Sequence, residues 1–202
     1  MKIPSLYLEQ VVEQLAILPG VGKRTALRLA LQILKKKPAE IDRFAQSFLD
    51  LKDHIKTCSS CGNISDLPIC QICSNEERQH SLICVVEDIR DIMAIEETSS
   101  YKGIYHVLGG IISPMDGIGP NDLNIVPLID KIQSGSVEEV IFALSATMEG
   151  DTTNFYLFKK IQHFDINVTT LSRGVSVGTE LHYADELTLG RSIVNRMPFE
   201  TS

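Results

Sequence analysis

The chain has no apolar run approaching ~18 residues, which excludes a membrane-spanning helix. No apolar stretch follows Met1-Lys-Ile-Pro-Ser5, and Glu9, Glu13 and Gln14 interrupt the next segment, so a secretory leader is not expected. Positive charge is in deficit: 19 Lys and Arg stand against 26 Asp and Glu, a formal net charge of −7. That balance excludes a protein whose whole surface coats nucleic acid, yet it permits a local basic patch. Cysteine is sparse, at five in 202 residues, and four of the five fall between positions 58 and 73. Such usage points to a reducing, cytoplasmic compartment. The rest is ordinary for a soluble protein: 44% hydrophobic residues, and a length that suits one domain or two modest ones.

The four clustered cysteines are the strongest signal. Cys58 and Cys61 form one Cys-x-x-Cys pair, Cys70 and Cys73 a second, and eight residues separate the pairs. Four thiolates suit tetrahedral Zn²⁺, and a two-residue spacer lets each pair grip from one tight turn. The intervening loop carries Gly62, Asn63, Ser65, Asp66 and Pro68 and has little with which to build a core. Metal binding would therefore supply most of its folding energy. Four protein ligands leave no open position, so the zinc is read as structural. Two disulfides or an iron–sulfur cluster are the alternatives. Cys84 sits inside Leu82-Ile-Cys-Val-Val86 and reads as a buried core residue.

Charge is unevenly placed. Residues 1–50 hold eight Lys and Arg against five Asp and Glu, so +3, and the other 152 residues then sum to −10. A nucleic-acid-facing end and an acidic body follow. In that basic end, Leu8, Val11, Val12, Leu15 and Leu18 recur at helical spacing. Pro19-Gly-Val-Gly22 then breaks the chain, and a second periodic run extends from Lys23 to about Lys36. On it, Arg24, Arg28 and Lys35 fall within about 40° of one another, opposite Ala26, Ala30, Ile33 and Leu34. Helix two thus buries one side and presents a basic stripe on the other.

Leu18-Pro-Gly-Val-Gly22 with Lys23 resembles the helix-hairpin-helix DNA-binding motif. Gly20 and Gly22 allow a tight turn and close approach of bare backbone. The first amides of helix two then point at a phosphate, aided by the helix dipole, and Lys23 and Arg24 add charge-assisted contacts. Such binding is independent of sequence and sensitive to salt. An ordinary helical hairpin is the bland alternative. Pro38 opens a third helix whose apolar face, Ile41, Phe44, Ala45 and Phe48, is expected to pack. Lys35-Lys-Lys37 is either a phosphate contact or a solvated helix end, the second being the simpler reading.

After a polar bridge from Ser74 to Gln79, short apolar strands alternate with helices. Strands are expected at Leu82–Val86, Ile104–Leu108, Val140–Leu144 and Asn167–Leu171. Helices are expected after Asp88, at Ile125–Ile132, at Thr153–His163 and over about Asp185–Asn195. A glycine-rich loop runs from Gly109 to Asp122. The alternation argues a parallel α/β sheet, where ligands sit beyond the carboxyl ends of the strands. Glu87 and Asp88 end the first strand, and Glu149 and Asp151 follow the third across a short loop. Converging carboxylates there suit Mg²⁺; helix capping and solvated loops suit them equally. The arrangement resembles a Toprim domain, with Glu87 in the place of its glutamate and Glu149-Gly-Asp151 a loose match to its Asp-x-Asp pair.

The order of these modules, with the local sequence, resembles the bacterial RecR family of recombination mediators over essentially the full chain. The residues that carry it are Leu18-Pro-Gly-Val-Gly22, Cys58-Ser-Ser-Cys-Gly-Asn63, Ile83-Cys-Val-Val-Glu-Asp88, Tyr101 to Gly110, Ile112 to Pro120 and Tyr183 to Gly190. One departure lies in Gly174-Val-Ser-Val-Gly-Thr179-Glu180, where the family usually carries Pro and a Gly-Gly pair and this chain has Ser and Thr at two of those places.

The resemblance implies a multidomain α plus α/β protein. A helix-hairpin-helix DNA-binding domain would span residues 1–54, a four-cysteine zinc module 55–79, a Toprim-like domain 80–172, and a C-terminal segment serving oligomerisation 173–202. It implies no catalytic residues, structural zinc at Cys58, Cys61, Cys70 and Cys73, and DNA contact at Gly20, Gly22, Lys23, Arg24 and Arg28. It implies single- and double-stranded DNA as partners, together with RecO and, in many bacteria, RecF. Dimers and tetrameric rings that encircle DNA, acting at the nucleoid without membrane attachment, complete the expectation. The function so implied is promotion of RecA loading on single-stranded DNA coated by single-strand-binding protein. The acidic residues Glu87, Asp88, Glu149 and Asp151 would then serve partners or Mg²⁺. A Mg²⁺-dependent Toprim-type nuclease needs only carboxylates and metal and is the enzymatic alternative. A zinc-stabilised adaptor that touches only protein is the third.

Overall fold

The computed structural model describes residues 3–178 and 180–198. The chain divides into two compact units, Met1–Ile55 and Lys56–Ser202.

The first unit is three helices, α1 (Leu6–Ala16), α2 (Lys23–Ile33) and α3 (Pro38–His54). Ser5 caps α1, its hydroxyl accepting from the Leu8 amide at 3.4 Å. The spacing of apolar residues places Val12 of α1 against Ala26 and Ala30 of α2, all three buried, with Leu8, Leu15, Val21 and Leu27 packed around them. Small residues at 26 and 30 let the two helices approach closely. Pro38 opens α3 as expected, and Lys37 and Glu40 bond across its first turn. Its apolar face does not pack as the sequence led us to expect. No residue of α3 is buried; Phe44 and Phe48 stand exposed, stacked edge to face at 5.1 Å. Leu34, expected on the inner face of α2, is 64% exposed because α2 ends at Ile33.

The second unit opens with a two-stranded antiparallel ribbon, β1 (Lys56–Thr57) and β2 (Ile64–Ser65), followed by a single turn of helix, α4 (Gln71–Ser74). Nothing in the residue pattern signals this ribbon, because two-residue strands are too short to show a period. Then come β3 (Gln79–Val86), α5 (Ile89–Glu97), β4 (Gly103–Val107), α6 (Ile125–Gln133), β5 (Glu139–Ala143), α7 (Met148–Ile161), β6 (Asn167–Thr170) and α8 (Glu186–Val194). The four long strands form one parallel sheet in the order β4-β3-β5-β6, with Cys84 paired to both Tyr105 and Ile141.

Both faces of the sheet are covered, which is why β3 and β4 read as near-continuous apolar runs. On one face Ile83, Val85, Ile104, Val140 and Phe142 pack with Leu128 and Ile132 of α6 and Leu157 and Ile161 of α7. On the other Cys84, Val86, Tyr105 and Val107 meet Ile92 of α5. Cys84 is 2% exposed, and burial pushes its thiol up to about 12. One boundary differs from expectation and matters for the site: α7 begins at Met148, not Thr153, because the Thr147 hydroxyl caps it by accepting from the Gly150 amide at 3.1 Å. Gly150 is required there, since a Cβ would lie 2.0 Å from the Ser145 carbonyl oxygen. Among the described residues no helix is long and apolar enough to cross a membrane.

Candidate nucleic-acid interface and metal centre

In the first unit, the turn between α1 and α2 is closed by the Val21 amide donating to the Leu18 carbonyl at 3.0 Å. Gly20 takes φ +78°, the left-handed region that favours glycine. Gly22 is different. Its φ is −76°, which any residue adopts, and a Cβ there would meet nothing within 4 Å. Neither conformation nor packing demands glycine at 22. What its bareness does is leave the first amides of α2 uncovered, since this N-cap carries no side chain to accept from them. Lys23, Arg24 and Arg28 are exposed around this helix start, and among the described residues none of them is in an ion pair. Uncapped amides, the positive end of a helix dipole and three unengaged cations are the chemistry that a phosphate group requires.

In the second unit, the ligand sulfurs of Cys58, Cys61, Cys70 and Cys73 all lie within 4.8 Å of one another, with Cys61 and Cys70 at 3.6 Å. Zinc–sulfur bonds of about 2.3 Å in a tetrahedron put sulfurs about 3.8 Å apart, so the four fit the ion. The turns that aim them are built from backbone. The Cys58 amide donates to the Asn63 carbonyl at 2.7 Å and the Gly62 amide to the Cys58 carbonyl at 2.9 Å. The Cys70 amide donates to the Cys58 sulfur at 3.2 Å, as amides commonly do to a metal-bound thiolate. Burial pushes the Cys58 thiol up, but the amides of Cys70, Cys61 and Ser60 outweigh it and favour the thiolate. Gly62, at φ +78°, lies against the Val107 carbonyl oxygen, 3.2 Å from where a Cβ would sit.

The ligand atoms of the four acidic residues at the strand ends do not converge as those of the cysteines do. Among the described residues the four cysteines are the only group of three or more His, Cys, Asp or Glu whose ligand atoms converge. Asp88 caps α5, accepting from the Arg90 amide at 2.7 Å and from the Arg90 guanidinium, which holds its carboxyl below the usual range. Asp151 lies in the first turn of α7, not in a loop, where Arg173 donates to it at 2.5 Å and Arg191 lies 3.5 Å away. Arg173 above all, then Arg191, lowers its pKa. Glu87 is partly buried, and burial above all, then Asp91 and Asp88, raises its carboxyl. Glu149 is exposed. So the capping alternative describes Asp88, and an ion-paired tie describes Asp151. Arg173 and Arg191 were missed by sequence reasoning, since their partner is far away along the chain and no local pattern marks it. The Gly174–Glu180 segment includes Thr179, which lies outside the described residues.

Comparison with known proteins matches four family models in order along the chain. A model described as RecR, helix-hairpin-helix covers residues 8–51, and the RecR four-cysteine zinc finger domain covers 55–75. A Toprim domain covers 81–172 and RecR, C-terminal covers 174–197. The zinc-finger match and the converging cysteines together establish structural zinc as the cofactor. Among curated relatives, the recombination protein RecR of Flavobacterium psychrophilum is 57% identical over 202 residues, covering 100% of this chain and 98% of that one. The protein of the same name from Porphyromonas gingivalis is 54% identical over 100% of this chain and 97% of its own. That of Bacteroides thetaiotaomicron is 53% identical over 97% and 96%. Identity at this level over the whole length, with the modules in this order, places the chain in the RecR family.

Proposed function

We propose that this protein is a non-enzymatic mediator of DNA repair and recombination, a DNA-binding clamp. With RecO and RecF it would promote RecA loading on single-stranded DNA coated by single-strand-binding protein. The observation that carries the reading is the start of α2, where bare amides, Lys23, Arg24 and Arg28 stand exposed and unengaged in a chain of RecR type. Gly20, Gly22, Lys23, Arg24 and Arg28 are its DNA contacts, all to phosphate and therefore indifferent to sequence. Cys58, Cys61, Cys70 and Cys73 hold the zinc. The domains run 1–54, 55–79 and 80–172, with 173–202 serving oligomerisation. A homodimer or tetrameric ring multiplies one modest basic patch, so that weak single contacts add up on an otherwise acidic body. Its place of action is the cytoplasm, at the nucleoid.

The dispersal of Glu87, Asp88, Glu149 and Asp151, two of them already engaged by arginines, supports a partner surface over a Mg²⁺ nuclease. Incubation with labelled gapped circular DNA and Mg²⁺ tests the two together. Retention on the circle without cleavage, lost when the DNA is linearised, is the expected result. Cleavage that disappears in Glu87→Ala would overturn it.

A further inference from the structure

A cleft lies beyond the carboxyl ends of β5 and β6, the place where open parallel sheets take ligands. Its volume is about 340 Å³, room for an apolar side chain and the groups attached to it. Phe142 and Leu144, both buried, line its inner part, and Leu171 and Leu187, both exposed, stand at its mouth. A second cavity of about 620 Å³ adjoins it, sharing Leu171, Arg173 and Arg191 and reaching Thr170 and Asp151. Leu187 and Arg191 are one turn apart on α8 and so share a face. The two arginines meet a single carboxylate. Arg173 donates to Asp151 at 2.5 Å and Arg191 lies 3.5 Å from it, while a guanidinium carries five N–H donors. Donors are left over, and two positive charges against one negative leave the cleft at +1. An apolar pocket with one net positive charge at its rim suits a ligand that joins an apolar group to a single negative charge.

The strand beside the cleft is open along its outer edge. β6 ends the sheet, and among the described residues no strand pairs with its far side. The Asn167 amide donates to the Glu138 carbonyl at 2.8 Å and the Leu171 amide to the Phe142 carbonyl at 3.3 Å. Alternation then turns the amides and carbonyls of Val168 and Thr170 outward. Such edges are usually blunted by charge, proline or a bulge, and Asn167-Val-Thr-Thr170 has none of these. An added strand finds hydrogen-bonding partners there, and a chain parallel to β6 runs its carboxyl end toward Arg173 and Arg191. We propose that this cleft and strand edge bind the C-terminal residues of a partner polypeptide that ends in an apolar residue. Its backbone pairs with Val168 and Thr170, its last side chain enters between Leu171 and Leu187, and its terminal carboxylate meets Arg173 and Arg191. Nucleic acid fits less well. It brings many phosphate charges to a cleft of net +1, on a stretch of chain where residues 51–202 sum to −10. The DNA contacts at α2 belong to the other unit and are not involved.

The test uses the full-length zinc-bound protein and a fluorescein-labelled hexapeptide, Gly-Ser-Thr-Val-Thr-Leu with a free carboxylate, followed by fluorescence anisotropy. Saturable binding is expected. The same peptide with an amidated C-terminus should bind about 10-fold more weakly or worse, because a charge-assisted contact is lost. A peptide ending in Gly in place of Leu should lose about as much through its missing side chain. Arg191→Gln should bring the free acid down toward the amide and leave the amide unchanged, the coupling expected of two groups in contact. No saturable binding up to millimolar peptide, or equal affinity for acid and amide, overturns the proposal. The acid-to-amide comparison needs no variant, so it decides the matter even if Arg191→Gln does not fold. Labelled oligo(dT) whose binding falls in Arg191→Gln would assign the arginines to phosphate and overturn it too. Peptide binding confined to dilute, dissociated protein would make a second copy of the chain the occupant, and would equally overturn a partner polypeptide as the ligand.

Discussion

The amide of Val107 donates to the carbonyl of Cys61 at 2.8 Å, so the first zinc-binding turn is hydrogen-bonded to the edge strand of the parallel sheet. Gly62 completes the fit, because only a residue without Cβ both takes φ +78° comfortably and clears the Val107 carbonyl. The metal site and the sheet edge are therefore one piece of structure.

Zinc loss should be felt at β4. Cys58→Ser or Cys70→Ser is expected to reduce zinc from one per chain to none and to lower the melting temperature. Native-state hydrogen exchange should show the Val107 amide losing protection in either variant. Gly62→Ala keeps all four sulfurs and should cost about 1–2 kcal/mol, the penalty for an L-residue forced into the left-handed region. Full zinc retention in the serine variants would reject the site.

The proposed DNA contact at the start of α2 should separate cleanly from folding. Lys23→Ala with Arg24→Ala should weaken binding to all DNA sequences alike and flatten the plot of log affinity against log salt by about 2 on duplex DNA. Gly22→Asp is the sharper variant. Its φ of −76° and open surroundings accept a side chain, and aspartate is a good N-cap, so stability should hold or rise by a few tenths of a kcal/mol. The same carboxylate occupies the amides a phosphate needs and repels it. Affinity measured by fluorescence anisotropy at low salt should fall at least about 10-fold, or ~1.4 kcal/mol. Unchanged affinity would mean that the amides do not touch DNA.

Sequence reading reached the fold wherever a period was long enough to count. The amphipathic α1 and α2, the four apolar strands and the two Cys-x-x-Cys pairs all lie where spacing put them. It failed where a local signal was absent or misleading. Phe44 and Phe48 repeat like a core face, yet periodicity says only which side of α3 is apolar, not whether anything covers it. Thr147 moved the start of α7 from Thr153 back to Met148 and carried Glu149 and Asp151 onto a helix, a capping effect that the weakly periodic segment concealed. The partners of Asp151 depend on chain segments far apart in sequence, which no window along the chain can see.

A partly buried network ties the end of the zinc module to the sheet, and it should matter for stability. Arg78 donates to Glu96 Oε1 at 2.9 Å and to the carbonyls of Tyr101 and Gly103, while the Tyr105 hydroxyl donates to Glu96 at 2.6 Å. Side-chain exposure is 15% for Arg78 and 31% for Glu96, so solvent cannot replace a lost partner fully. Glu96→Gln leaves the guanidinium short of charge and should cost about 1–3 kcal/mol in urea unfolding. Zinc content should stay at one per chain, which distinguishes this loss from damage to the metal site. A variant as stable as the parent would show that the two backbone carbonyls satisfy Arg78 alone.

The tie between Asp151 and the C-terminal segment carries a pH dependence. Arg173 lowers the folded pKa of Asp151 below its ordinary value of 3.8, so the pair contributes stability above that value and loses it as pH falls through the folded pKa. Asp151 is 41% exposed on its side chain, and solvent screening keeps the contribution below about 1 kcal/mol. Its effect is therefore local and falls on α8, whose Arg191 also approaches Asp151. In Asp151→Asn, amides of α8 should exchange faster than in the parent at pH 7, while those of α5 on the opposite face should not change. The ratio of protection factors between parent and variant in α8 should then shrink toward one as pH drops below 3.8 and the parent carboxylate takes up its proton. Equal protection at pH 7 would show that α8 owes nothing to Asp151.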